Sequence, residues 1–346
     1  MMKTRHVVAA TLAVALALAG FAGIDSAHAG AVITNGSGIF LGVNDQGHLN
    51  FTDGVTQSAN AGPVGVSILY PAGGLGGRTG LQDATAPGCL CEGWGASGNG
   101  IGGSADISST PGAVKNITLE SFTSTPSTAT STVHLTSLPG LQIKQEYSPS
   151  ASAALFQDKV TITNTTLATI TNVRYARAMD WDVPPTEFNE FVTIGGLPAT
   201  KVLRTTDNGF ADPDPILALA DGGIGCPVNA NFTDCGPNDH GSLWIFGFGD
   251  LAAGQSIEFF IYYGAAFGET AALNALGTVA AEVFSFGQTV LDPTGATFPT
   301  FIFGFGGVGG TALPSPSAPG VPEPASLILL GVGLLGAAIA RRYFRQ

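Results

Sequence analysis

The sequence predicts a mainly β protein: a large antiparallel β-sandwich with one covering helix near 269–284, a signal helix before it and a transmembrane helix after it. Three observations carry this. Gly, Ser, Thr, Asn and Pro recur throughout, so periodic runs stay short. Where runs are long enough to judge, apolar and polar residues alternate, as on strands with one wet face. One internal window alone has helical spacing.

In chain order, Ile39 to Val43 and His48 to Phe51 form an expected hairpin about Asn44-Asp45-Gln46-Gly47. Val64 to Tyr70 is the next strand. Pro71 to Pro111 is glycine-rich and irregular, and holds Cys89, Cys91 and Trp94; such a stretch serves as a functional loop or a packed meander. Ile117 and Leu119 then alternate with Thr118 and Glu120, Val133 and Leu135 with His134, and Leu141, Ile143, Gln145 and Tyr147 with Gln142, Lys144 and Glu146. Phe156, Val160 and Ile162 share a face that only Asp158 breaks. Val173, Tyr175, Met179, Trp181 and Val183 share another, broken only by Arg177. Leu243 to Gly249 and Ile257 to Tyr263 are nearly all apolar, as for strands buried on both faces. Glu269 to Phe284 sets Leu273, Leu276, Ala280 and Val283 on one helical face, fit to cover a sheet. Residues 311–320 are a Pro/Ser linker.

The two ends carry targeting features. Residues 1–29 have the form of a secretory signal: Lys3 and Arg5, an apolar Val7 to Ala22, and the small-x-small Ala27-His28-Ala29. The Sec machinery is the expected partner. Residues 30–310 form the body, long enough for one large β domain or two subdomains. Near the other end, the 16 residues from Ala325 to Ala340 carry no charge. As a helix they span about 24 Å, against about 30 Å of hydrocarbon, so the span is short for permanent anchoring. Arg341, Arg342 and Arg345 can snorkel, and they mark the cytoplasmic side.

The order Val321-Pro322-Glu323-Pro324-Ala325-Ser326, then Leu327 to Ala340, then Arg341-Arg342, resembles the PEP-CTERM sorting signal of Gram-negative bacteria. That resemblance covers about 25 residues, 321–346. It implies an exosortase as processing partner, a membrane-anchored precursor, and delivery to the cell surface or exopolysaccharide matrix. Pro322, Glu323 and Pro324 would be recognition residues. The prolines hold the strand extended and open to a protease. Four body phrases also resemble a group of uncharacterised secreted bacterial β proteins: Cys89 to Gly95, Met179 to Val183, Gly236 to Gly241 and Ala280 to Gly287. That likeness implies one continuous domain and supplies no catalytic residue.

The net charge is −12. Five of 13 Lys and Arg, but only two of 25 Asp and Glu, lie in the targeting segments, so the body keeps 8 basic against 23 acidic residues, about −15. That excludes a nucleic-acid footprint, which needs a basic face. It suits divalent cations and solubility outside the cell.

Candidate sites are few. Asp180 and Asp182 flank Trp181, a pair of carboxylates beside a ring that suits glycan contact or glycoside chemistry. Glu187 and Glu190 follow. Asp207, Asp212 and Asp214 lie in an acidic loop whose oxygen ligands suit Ca²⁺. Asn231, Asp234, Asn238, Asp239 and His240 form a second polar loop. Four cysteines allow three disulfide pairings. Cys226–Cys235 closes a short loop and is favoured; Cys89–Cys91 would be a tight ring, so a cross-link between the two pairs is the rival. Cys-x-Cys spacing is poor for zinc. The body has three histidines and neither a Gly-x-Ser-x-Gly elbow nor a His-Glu-x-x-His, so no catalytic residue is assigned. The expectation is a non-enzymatic surface or matrix protein, with a carbohydrate-binding or carbohydrate-active module as the alternative.

Overall fold

The structure, a computed structural model, describes residues 30–107, 114–293 and 295–316. The expected signal, transmembrane helix and sorting motif lie outside them. The chain opens with β1 (Gly30–Thr34), β2 (Ile39–Asn44), β3 (Val66–Leu69) and β4 (Leu81–Asp83), which pair in sequence order. It continues through β5 (Glu92–Gly98), β6 (Ile101–Ile107), β7 (Ile117–Thr125), β8 (Thr128–Leu135), β9 (Leu138–Pro149), β10 (Leu155–Asn164), β11 (Ile170–Trp181), β12 (Glu190–Gly195), β13 (Val202–Thr206), β14 (Phe232–Asn238), β15 (His240–Leu251) and β16 (Ser256–Phe267). A helix, α1 (Glu269–Thr278), precedes β17 (Val283–Thr289) and β18 (Pro299–Gly306).

Two further antiparallel sheets result. The larger has the order β14-β12-β17-β18-β16-β10-β9-β8-β7, the smaller β13-β15-β11-β5-β6. Alternation dictates this layering. In β8, β9 and β10 every second residue is buried, so each strand turns one apolar row inward. Those rows meet the inward rows of β5, β11 and β15, and one continuous core joins both sheets to the N-terminal one. The glycine-rich stretch from Pro71 to Pro111 is less irregular than its composition suggests. It contains β4, β5 and β6, and Gly98 and Gly100 lie at the β5–β6 turn.

The helix covers a sheet as expected but is shorter. Its buried face is Ala272, Ala275 and Leu276, set on Tyr262, Phe284, Phe286 and Ile302, while Leu273 is partly exposed. It stops at Thr278, and Ala280 takes a left-handed backbone, φ 53°. Beyond it, Val283 to Phe286 alternate as a strand: Val283 enters the main core and Phe284 faces α1. The expected linker begins docked, with Leu313 N–H donating to Ala281 O at 2.7 Å and Ser315 Oγ to Gly277 O at 3.2 Å.

The two breaks in apolar alternation meet inside the sandwich. Arg177 from β11 lies 3.9 Å from Asp158 of β10, across the gap between sheets. It pairs at 2.5 Å with Glu92 of β5, and both side chains are fully buried. Its Nη1 donates to Gln145 at 2.7 Å and to Tyr175 OH at 3.1 Å; its Nη2 donates to Tyr147 OH and to Gly47 O, both at 3.2 Å. The Tyr263 ring lies 5.4 Å from the guanidinium carbon. This cluster holds the turn after β2 inside the sandwich. Tyr147 OH donates to Gly47 O at 2.6 Å, Trp94 Nε1 to Gln46 O at 2.9 Å, Ser131 Oγ to Asp45 O at 2.6 Å, and Leu49 N–H to Glu92 at 2.5 Å. Gly47 has φ 84°, and a Cβ there would strike the Gln145 amide, so only glycine fits. Burial, and then Arg177, push His48 down to about 3, so it stays neutral.

Removing one member of a buried ion pair strands the other's charge. Arg177→Met is expected to lower unfolding free energy by about 3–5 kcal/mol, and Arg177→Met/Glu92→Gln to recover part of that loss, in urea titrations. Burial pushes the Asp158 carboxyl up to about 7, against the opposing charge of Arg177. Unfolded, the same group ionises near 3.9. Between those pH values the folded chain keeps a proton the unfolded chain has lost, so stability falls as pH rises through that window and levels above it. Asp158→Asn stays neutral. Its stability relative to wild type should therefore climb from about pH 4 to 7, by up to about 4 kcal/mol; a constant difference would contradict the assignment.

Candidate functional site

Asp180, Trp181 and Asp182 end β11, but not as a wet edge. The 84–91 segment crosses over them: Asp180 N–H donates to Cys91 O at 2.9 Å and Asp182 N–H to Ala84 O at 2.7 Å. On the other side β15 pairs Asp180 with Gly241 and Trp181 with His240. Trp181 is fully buried, donates Nε1–H to Ser285 Oγ at 3.1 Å and packs on Phe301. It is a core residue, and its ring cannot serve a glycan.

The acidic loop does not assemble a common site. Asp207 accepts N–H bonds from Ile224, Gly225 and Cys226 at 2.7, 3.0 and 3.0 Å, and faces His240 Nδ1 at 3.3 Å. Burial opposes its ionisation, yet the bonds from His240, Ile224 and Cys226 hold its carboxyl below the usual range. Asp212 instead pairs with Lys115 at 2.7 Å and accepts from Ser104, while Asp214 accepts the Ile216 N–H at 2.9 Å. These three carboxylates are committed to turns and an ion pair, which removes them as one Ca²⁺ loop.

The cysteines pair within each half. Cys226 and Cys235 are joined, which sets the 223–226 turn against Asp207. Cys89 and Cys91 face each other at bonding distance, the arrangement of the tight ring rather than of a cross-link between the pairs. Their sulfurs are thereby removed as thiolate ligands. In the second polar loop, Asn231 bonds Leu197 through both amide atoms at 2.9 Å, and Asp234 bonds Thr193. Asp239 turns a different way.

What the fold does gather is a carboxylate cluster. Asp180, Asp182 and Asp239 each bring an oxygen within 4.8 Å of the others. Glu190, at the start of β12, joins them; it accepts the His240 N–H at 2.9 Å. Asp180, Asp182 and Glu190 are 1%, 0% and 0% exposed, and Asp239 is half-buried at the rim. Burial, then the neighbouring charges of Asp180, Glu190 and Asp239, push Asp182 up to about 10. Burial likewise lifts Glu190 to about 9, and Asp180 and Asp239 add to it. A glycosidic bond has no route between acids this enclosed.

An open groove of about 450 Å³ is walled by Asn60, Arg78, the 86–90 segment, Glu187 and Phe188. Phe188 is 50% exposed and holds a left-handed backbone, φ 69°, with its ring over Gly88. That conformation is an outlier for a bulky side chain. Across the groove Glu187 accepts from Arg78 at 2.9 Å and from Asn60 at 3.0 Å.

Residues 320–342 match the PEP-CTERM protein-sorting motif. The chain therefore carries the tail of an exosortase substrate, an exported protein held at the membrane before processing. The PEP-CTERM match takes in Pro322, Glu323, Pro324, Arg341 and Arg342. No curated protein matches the chain. Twelve chains of solved structures do. One is the X-ray structure of a galactose mutarotase related enzyme from Lactobacillus acidophilus, 11% identical, covering 83% of this chain and 93% of that one at a TM-score of 0.27. That likeness is too slight to bear on function.

Proposed function

We propose that this chain is a structural or adhesive component of the cell surface or exopolysaccharide matrix, exported through the Sec machinery and released there by exosortase. The PEP-CTERM motif carries the reading. The body supports it: acidic, tightly packed, and with its clustered carboxylates closed to substrate. Residues 1–29 act as the signal and 325–340 as a temporary anchor, with Arg341, Arg342 and Arg345 on the cytoplasmic side. Mass spectrometry of the protein recovered from the surface or matrix is expected to end near Pro322–Pro324. A tail intact beyond Arg341 at that location would overturn the reading. Substituting Glu323→Ala is expected to leave the chain in the membrane fraction.

A second reading, contact with the polysaccharide itself, is favoured by the groove at Phe188. An exposed ring held in a costly conformation beside Arg78, Asn60 and Glu187 offers the apolar face and polar rim that a sugar uses. Affinity electrophoresis against the host's own exopolysaccharide should retard the wild-type body, and Phe188→Ala should remove most of that retardation. Equal mobility of the two would dispose of this reading.

A further inference from the structure

We propose that Asp180, Asp182, Glu190 and Asp239 form a binding site for a hard divalent cation, Ca²⁺. The first observation is geometric: three of these carboxylates converge within 4.8 Å, and the fourth, Glu190, accepts the N–H of His240, the residue after Asp239. The second is independent of that convergence. Asp180 Oδ1, both oxygens of Asp182, Glu190 Oε2 and Asp239 Oδ1 are buried with no hydrogen-bond partner. Elsewhere the enclosed acids have either donors or a cation beside them. Asp83 accepts N–H bonds from Gly65, Thr85 and Ala86 at 2.6–2.8 Å, and Glu92 accepts the Leu49 N–H and pairs with Arg177, both at 2.5 Å. Asp158, whose two oxygens also lack a hydrogen bond, has the Arg177 guanidinium 3.9 Å away.

The cluster is different. Among the described residues no Lys or Arg pairs with any of its four members. Unserved buried acids are costly, and a cation is what would repay them. The donors are all carboxylate oxygens, which select hard ions. Ca²⁺ fits an irregular oxygen set better than Mg²⁺, which demands a near-ideal octahedron. Asp239, half-buried beside the exposed Gly236–Asn238 segment, gives the ion its way in.

The site also accounts for the chain segments it joins. Asp180 and Asp182 come from the end of β11, Glu190 from the start of β12, and Asp239 from the turn between β14 and β15. One ion would tie both sheets of the sandwich together at this end. This proposal does not depend on how the body is delivered or on the groove at Phe188.

Thermal unfolding of the purified body with chelator, and then with excess Ca²⁺, tests it. Wild type should gain about 5 °C at a hundredfold excess over its dissociation constant. Asp180→Asn/Asp182→Asn keeps the shapes and removes the anionic ligands, so in chelator it should melt at or above wild type and show no Ca²⁺ shift. Asp214→Asn, also acidic but outside the cluster, should keep the full shift. Terbium supplies a readout independent of stability: excitation of Trp181, the residue between two ligands, should sensitise bound Tb³⁺, and Ca²⁺ should quench that emission. Wild type without a Ca²⁺ shift or sensitised emission, or a double variant with the wild-type shift, would overturn the assignment.

Discussion

Everything in the body hangs on one buried cation. Arg177 stands where an apolar side chain belongs in the inward row of β11, and a lone guanidinium there would be prohibitive. Glu92, Gln145, Tyr147, Tyr175 and the Gly47 carbonyl make it tolerable. Those partners come from both sheets and from the turn after β2, so satisfying one side chain fixes how three sheets sit together. Apolar packing supplies most of the stabilisation but is not selective about register. A polar cluster is selective, because a misplaced partner leaves a buried charge unserved.

The architecture could be read from alternation because half-buried strands announce themselves locally. The exceptions, Asp158 and Arg177, were equally visible. Their meeting was not, since it needs the two sheets to be stacked with β10 over β11. The helix was overextended for a similar reason. Val283 and Phe284 suit either a helical or a strand face, and pairing with Phe305 and Gly304 decides for the strand. Likewise, composition made the Pro71–Pro111 stretch look irregular, whereas β5 gains its order from β11 and β6.

The site was half legible. Asp180 and Asp182 stood out, but their tryptophan suggested a surface platform, and burial of that ring comes from Ser285 and Phe301, more than a hundred residues away. Glu190 and Asp239 appeared only as members of separate polar segments. The β11–β15 register, which pairs Trp181 with His240, brings Asp239 to the end of β11, and the β12–β14 pairing of Glu190 with Asn238 brings Glu190 beside it. Such convergence is written in long-range pairing and has no local period. The Asp207 loop failed oppositely: its carboxylates had the spacing of ligands, yet turns, His240 and Lys115 claimed each one.

The docking of Leu313 and Ser315 on α1 bears on processing. From Ser315 to Glu323 the chain has roughly eight residues, which reach at most about 28 Å. The motif can therefore lie no farther than about 28 Å from the place where the chain is fastened to the folded body. Cleavage there would leave Leu313 and Ser315 in place against the body, so loss of the tail leaves the core closed.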